Sequence, residues 1–251
     1  MKGLNKMSER KKGAERLDKF LSNQLNISRN DAKELIKKRL VTVNNIAARL
    51  YEMKVDPEND SVIAEGKAVT YRKHIYLMMN KPQGVVCSTR DGESKTVLDL
   101  VPKEYMRSGL FPAGRLDKDT EGFVLITDDG ALAHSILSPK KHVSKVYYAE
   151  LESPAEEFYK AEFESGMKID GGDICLPAKI ELLDDPHNVL ITIKEGMYHQ
   201  IKRMAEALGN KVVYLKRIQM GGVKLDEKLA LGECREMLHK EIENLYTDFQ
   251  A

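Results

Sequence analysis

From Arg16 onward the hydrophobic positions recur at helical spacing. Leu17, Phe20, Leu21 and Leu25 fall at i, i+3, i+4 and i+8, which predicts a first helix. A second helix is predicted to open at Ser28, where Asp31 three residues on completes a capping-box spacing. Its apolar stripe is Ala32, Leu35 and Ile36, and Arg29, Lys33 and Lys37 lie off that stripe. Residues 41–44 (VTVN) read as a short strand, Asn44-Asn45 as a turn, and residues 64–74 as a last strand and a link. Two short helices and a hairpin therefore predict a small unit over residues 14–72. Residues 1–13 carry no periodicity and are expected to be disordered.

The remainder, residues 73–251, changes character. Strands are predicted at 75–80 (IYLMMN), 123–127 (FVLIT), 145–151 (KVYYAEL) and 189–193 (VLITI), and short helices at 131–137, 154–165 and 199–208. Gly171-Gly172 and Gly221-Gly222 mark turns between further strands. Strands and long helices do not alternate, which argues against a doubly wound parallel sheet. The expected fold class is α+β, with a mixed, mainly antiparallel sheet in this second domain.

Charge sharpens the division. The whole chain of 251 residues sums to +1, yet residues 1–54 hold 14 Lys or Arg against 6 Asp or Glu. One end is strongly basic and the rest mildly acidic; a solvated charged tail accounts for Lys2 to Lys12, but less well for the basic residues after Arg16, which recur within a patterned helical segment. Three cysteines, Cys87, Cys175 and Cys234, lack any CxxC spacing, so reduced thiols and a cytoplasmic location are expected. No apolar run is long enough to span a bilayer, and no signal peptide or membrane partner is expected. The six histidines show no metal-ligand spacing, and no Gly-rich nucleotide loop is present. No metal and no cofactor are expected.

Residues 111–130, FPAGRLDKDTEGFVLITDDG, place Arg115, Asp117 and Asp119 in a glycine-bounded loop directly before a strand apolar enough to be buried. A buried strand holds its preceding loop rigidly, which suits reactive groups. The stretch resembles the catalytic motif of the pseudouridine synthases that modify ribosomal RNA, most closely the branch acting on the small subunit. NKPQGVVCST at 80–89, SPKKHVSKVYY at 138–148, EGMYHQIKRMAEALGN at 195–210 and GGVKL at 221–225 extend the resemblance. The segment RLDKFL…SRNDAKELIKKRLVTVN is similar to the alpha-L, or S-four-type, RNA-binding domain. Together these cover nearly all of residues 15–238.

The resemblance implies that Asp117 is the catalytic carboxylate. The reaction detaches uracil from ribose, turns it, and rejoins it through carbon 5. A carboxylate serves as a nucleophile at C1′ or as a base for the C2′ proton, and both routes stay open. An ionised Asp117 in a site that excludes water needs a cationic partner, which the family places in HQIKRM. Ile201, Met204, Ala205 and Leu208 define one helix face, with Lys202 about 110° and Arg203 about 150° from its centre. Lys202 is therefore the expected partner, and Arg203 is expected to face outward toward RNA. The family's Lys-x-Tyr pattern maps to Lys145 and Tyr147, so Tyr147 is expected to stack on the flipped uracil and Tyr148 to fill the core. Arg115 is expected to fill the space the base vacates or to pair with phosphate. Lys81, Lys140, Lys141 and His142 are expected phosphate contacts, as are Arg16, Arg29, Lys33 and Lys37 of the first unit. The expected partner is ribosomal RNA or a partly assembled small ribosomal subunit, met by a monomer. The alternatives are a synthase acting on large-subunit rRNA and a non-catalytic assembly factor. Intact Asp117, Tyr147 and a cation at position 202 favour the enzyme.

Overall fold

The computed structural model describes residues 13–138 and 143–247; Lys140, Lys141 and His142 lie outside them. The chain divides into two compact units. One runs to Lys73 and takes in Met106–Ser108; the other comprises His74–Tyr105 and the chain from Gly109 onward.

In the first unit, strand β1 (Glu15–Arg16) leads into helix α1 (Leu17–Leu25), followed by α2 (Arg29–Lys37). Ser28 caps α2 and forms the full reciprocal box with Asp31. Strands β2 (Val41–Val43) and β3 (Ile46–Ala47) make a hairpin whose turn holds Asn44 and Asn45 at positive φ, a conformation Asn tolerates. Strand β4 (Lys54–Val55) pairs with β1, and β5 (Val62–Ala64) with β2 and with β6 (Lys67–Ala68). The single strand expected over 64–74 is thus a hairpin, because Glu65 and Gly66 both take positive φ and reverse the chain. Leu17, Phe20, Leu21, Ala32 and Ile36 form the core with Val41, as the helical stripe predicts, whereas Leu25 at the end of α1 is exposed.

One charge sits inside that unit. Asp18 is fully buried and accepts from Arg16 and Arg29, each at 3.0 Å. Hydrogen bonds from Arg16, and then Arg29, hold its carboxyl down at about 2 against the opposing effect of burial. Arg16 and Lys33 in turn lie over the Tyr51 ring at 5.6 and 5.1 Å. Lys33 and Lys37 line a groove with Glu34, Ile36, Arg39, Arg49 and Tyr51, and Lys37 pairs with Glu34 at 3.6 Å. Arg39 and Arg49 enter this basic surface only through the fold, since neither lies on a predicted helix.

The second unit is built on one sheet. Strands β7 (Tyr76–Lys81), β8 (Phe111–Ala113), β9 (Glu121–Thr127) and β10 (Lys145–Leu151) come first, then β11 (Lys179–Leu182) and β12 (Asn188–Ile193). Strands β13 (Val212–Met220), β14 (Val223–Lys224) and β15 (Cys234–Glu236) complete it. The order is β11-β12-β10-β13-β9-β7-β15, with β8 on β9 and β14 on β13. Within this sheet the β9–β13 pair is parallel and the other strand pairs among the described residues are antiparallel, so the sheet is mixed and mainly antiparallel. Helices α3 (Gly130–Leu137), α4 (Phe158–Ser165), α5 (Gln200–Ala207) and α6 (His239–Asn244) are short. α4 begins at Phe158 rather than 154, because Ala155 first docks its N–H on Pro186 O at 2.8 Å. Gly171-Gly172 lies in a 3-10 turn. β9 is buried from Gly122 to Thr127. At the β9–β13 crossing, Gly122 has φ +103°, and a Cβ there would stand 2.2 Å from Arg217 O, so the parallel pair forms only around a glycine.

The Asp18 arrangement fixes a sign. Its folded value lies below the unfolded ~3.9, so the stabilisation is complete above that pH and is lost as pH falls through about 2. Asp18→Asn is expected to lower amide-exchange protection of α1 at neutral pH by roughly tenfold, the scale of one charge-assisted hydrogen bond. The ratio of wild type to variant should shrink toward unity as pH approaches 2.

Candidate active site

The loop between β8 and β9 carries the acidic motif, and its backbone is held from below. Lys81, at the end of β7, is 0% exposed, and its ammonium donates to Thr120 O at 2.7 Å and to Pro82 O and Asp117 O at 3.0 Å. A weaker contact reaches Lys118 O at 3.4 Å. Gly84 N–H donates to Lys118 O at 2.8 Å, Leu116 N–H to Cys87 Sγ at 3.3 Å, and Gly114 enters the loop at φ +94°. Burial pushes the Lys81 ammonium below the ordinary lysine range. Lys81 is therefore not the phosphate contact expected from the sequence. The apolar β7 carries it into the interior, where the loop carbonyls replace its hydration.

On this support Asp117 is half-buried, and the Lys202 ammonium and the His199 ring converge on it. Lys202 Nζ lies 3.4 Å from Asp117 Oδ2, and His199 Nε2 lies 3.6 Å from Oδ1. Lys202 also donates to Asp119 at 2.6 and 2.8 Å. Burial alone would raise the Asp119 carboxyl, but the hydrogen bond and charge of Lys202 hold it below the usual range. One ammonium thus bridges two carboxylates of the motif loop.

Lys202 sits in the first turn of α5. His199 caps that helix in the left-handed region, at φ 48° and ψ 31°, with Tyr198 stacked on its ring at 3.8 Å. Gln200 ties down the turn by donating to Glu195 at 2.8 Å and accepting from Met197 N–H at 3.1 Å. Ile201, Met204 and Ala205 bury the face that the sequence predicts. Arg203 points away from Asp117, but Asp170 and Asp173 occupy its guanidinium. It is not the free phosphate cation expected: the 3-10 turn folds those carboxylates onto it, a contact no local pattern reveals.

Strand phase places the tyrosines. Tyr147 is 7% exposed on the inner face of β10, paired across the sheet with Arg217 of β13. Arg217 Nη1 donates to the Tyr147 hydroxyl at 3.4 Å, and the guanidinium ends 4.0 Å from where a Gly114 side chain would stand. Tyr147 is thereby linked to the start of the motif loop. Tyr148 takes the opposite face but not the core. It is half-buried, donates to Asn188 at 2.9 Å and meets Tyr214 edge-on, because that outer face carries Glu150 and Asn188. Arg115 is exposed and makes no hydrogen bond among the described residues. No cluster of metal-ligating side chains occurs among the described residues.

The sequence pattern does not reveal His199, Lys81 in its supporting role, or Arg217. The His199 ring reaches Asp117 only because residue 199 is in the left-handed conformation. Arg217 carries one available signal, a charged residue inside an otherwise strand-like run.

A family model described as RNA pseudouridylate synthase matches residues 75–207, and one described as S4 domain matches residues 15–62. A Bacillus subtilis (strain 168) protein named an uncharacterized RNA pseudouridine synthase is 50% identical over 230 residues, covering 90% of this chain and 96% of that protein. The ribosomal small subunit pseudouridine synthase A of Escherichia coli (strain K12) is 42% identical over 228 residues, covering 90% and 98%. A crystal structure of a pseudouridylate synthase superposes with a TM-score of 0.65 at 41% identity, covering 92% of this chain and 99% of that one. These matches define an RNA-modifying isomerase. The chain belongs to the RNA pseudouridylate synthase family, with an S4 domain ahead of its synthase domain.

The Lys81 support predicts a measurable coupling. Lys81→Met fills similar space but leaves loop carbonyls without a donor, which costs about 1–3 kcal/mol per buried group. Urea unfolding should show a loss of that order or more, and amide exchange at residues 117–120 should accelerate beyond that of β10. Equal acceleration at both places would make Lys81 a general core residue instead of the loop's anchor.

Proposed function

We propose that this synthase converts a uridine of ribosomal RNA, in the small subunit, to pseudouridine in the cytoplasm, with Asp117 as its catalytic carboxylate. The observation that carries the reading is Asp117 held on a rigid loop within 3.4 Å of Lys202 and 3.6 Å of His199. The names of the relatives point to the small subunit, and Lys at position 202 accords with that branch. The substrate is free rRNA or a partly assembled particle.

The chemistry follows from the charges. The target nucleotide leaves its stack so that its ribose reaches Asp117. As the bond from C1′ to N1 lengthens, C1′ becomes electron-poor, and the carboxylate bonds to it or takes the C2′ proton. Lys202 and His199 hold the carboxylate in position. Lys202, shared with Asp119, acts as a point charge and not as a bidentate fork. Tyr147 offers an aromatic surface for the uracil. Arg115, exposed and free, pairs with phosphate or fills the vacated stack.

The first unit supplies affinity. Arg16 and Arg29 are fixed by Asp18, and Lys33 and Lys37 line the neighbouring groove, so the basic surface is arranged before RNA arrives. Ordered cations lose less side-chain entropy on binding than free ones.

Mapping of pseudouridine in rRNA from cells with and without the gene tests the substrate. Asp117→Asn, near-isosteric, should bind RNA as wild type does and lose turnover by at least about a thousandfold. Lys202→Arg should retain turnover within roughly tenfold, whereas Lys202→Met should fall well below it, because only the first preserves the charge. An active Asp117→Asn variant would remove the carboxylate from the mechanism.

Deletion of residues 1–72 should weaken rRNA binding and flatten its salt dependence. Removing one cation–phosphate pairing changes the log–log slope by about 0.7–0.9. An unchanged slope would assign RNA affinity to the second unit.

A further inference from the structure

The sheet face beside the motif loop carries more positive charge than the proposed chemistry uses. Arg217 is 2% exposed and Lys145, two residues from Tyr147 on the same face of β10, is 7% exposed. Arg217 spends Nε on Phe123 O at 2.7 Å and Nη1 on the Tyr147 hydroxyl, while Nη2, buried, has no hydrogen-bond partner among the described residues. Within that set neither cation meets a carboxylate at ion-pair distance. Burial, and then Arg217, pushes Lys145 down to about 8, with Glu195 the opposing influence. A guanidinium N–H withdrawn from water and left without an acceptor is costly unless the function supplies one. The guanidinium carbon lies over the Tyr147 ring, 5.9 Å from its centre, with Nη1 on the hydroxyl, so a base brought to this tyrosine also comes to the unpaired N–H.

We propose that Arg217, with Lys145 behind it, stabilises the uracil anion that exists between detachment and rejoining, Nη2 donating to a carbonyl oxygen of the free base. This rests on the assignment of Asp117 as the catalytic carboxylate. When the bond from C1′ to N1 breaks, both electrons leave with N1 and spread onto O2 and O4. C1′ meanwhile gains an Asp117 oxygen, or the sugar loses its C2′ proton to Asp117. After the ring turns, C5 uses that electron pair to bond to C1′, displacing the Asp117 oxygen or adding to the glycal as C2′ regains its proton. C5 then loses its proton and N1 gains one, so the composition is unchanged. The negative charge belongs to the middle of the reaction alone, and a buried cation without a carboxylate is organised in advance for it. A phosphate suits the place less well. It remains tied to two riboses at the rim, whereas a detached base is planar and free to enter a closed face.

The test varies the leaving group. Small-subunit rRNA transcripts made with uridine or with 5-fluorouridine are converted in single turnover at saturating protein. The intact N1-linked nucleoside is then counted by mass spectrometry after digestion. Fluorine at C5 stabilises the base anion by itself, so it relieves the need for Arg217, and it cannot leave as a proton, so detachment stays readable. Arg217→Met should slow uridine conversion by about a hundredfold with little change in half-saturating concentration. Its slowing on 5-fluorouridine should be roughly tenfold smaller, and Arg217→Lys should recover part of the rate. Lys145→Met, read the same way, decides the matter if Arg217→Met fails to fold. Equal slowing on both transcripts would overturn the proposal and leave Arg217 a positioning residue for Tyr147. A loss confined to half-saturating concentration would overturn it in favour of phosphate binding. Asp117→Asn on the uridine transcript reports separately on the underlying assignment, since removing the carboxylate stops both routes with Arg217 and Lys145 still in place.

Discussion

An ammonium group taken out of water costs several kcal/mol unless oxygen atoms replace its hydration. Lys81 meets that demand with the backbone of the very loop that carries Asp117. The requirement works in both directions. The loop supplies carbonyls that would otherwise need donors, and the lysine limits how the loop can bend. β7 delivers the ammonium to one point, and β9, buried from Gly122 onward, fixes the loop's other end. The position of Asp117 and its distance from Lys202 both depend on that loop having one shape.

Above the loop the charges are arranged unequally. Asp117 and Asp119 share Lys202, so the ammonium is not committed to Asp117 alone. Asp119 is the more exposed of the two carboxylates, and its pairing is correspondingly screened. Asp117 is drawn between Lys202 and His199, on opposite oxygens, which orients the carboxylate plane as well as holding its charge. His199 achieves this from a backbone conformation that costs a non-glycine residue on the order of 1–3 kcal/mol. The anchoring of Gln200 on Glu195 and Met197 supplies the surrounding determination that such a conformation needs.

Much of this is legible in the sequence, and the boundary is physical. Local patterns are written in local order. The α1 stripe, the Ser28 box, the Asn44-Asn45 turn, strand β10 and the Lys202 side of α5 all appear where spacing predicts them. Failures occur where a polar residue is inside. Arg217 and Gln219 interrupt the apolar rhythm of β13, which hides the strand that joins the two halves of the sheet. Lys81 reads as a surface cation until the fold shows the loop carbonyls beneath it. Arg203 reads as an RNA contact until the turn around Asp170 closes on it. The motif itself names Asp117, but its electrostatic surroundings come from chain segments more than eighty residues apart.

Both units use one device with opposite signs. In the first, a buried anion, Asp18, gathers Arg16 and Arg29; in the second, a buried cation, Lys81, gathers the loop around Asp117. A buried charge tolerates few arrangements, because each alternative exposes it to an unpaired, low-dielectric surrounding. That intolerance is useful where a group must be in place before its ligand arrives. Arg16, Arg29 and Asp117 share this need if they meet a ligand, since a side chain left mobile loses its freedom on binding. The first unit therefore presents cations arranged in advance, and the second presents an anion arranged in advance, each held by a charge inside the fold.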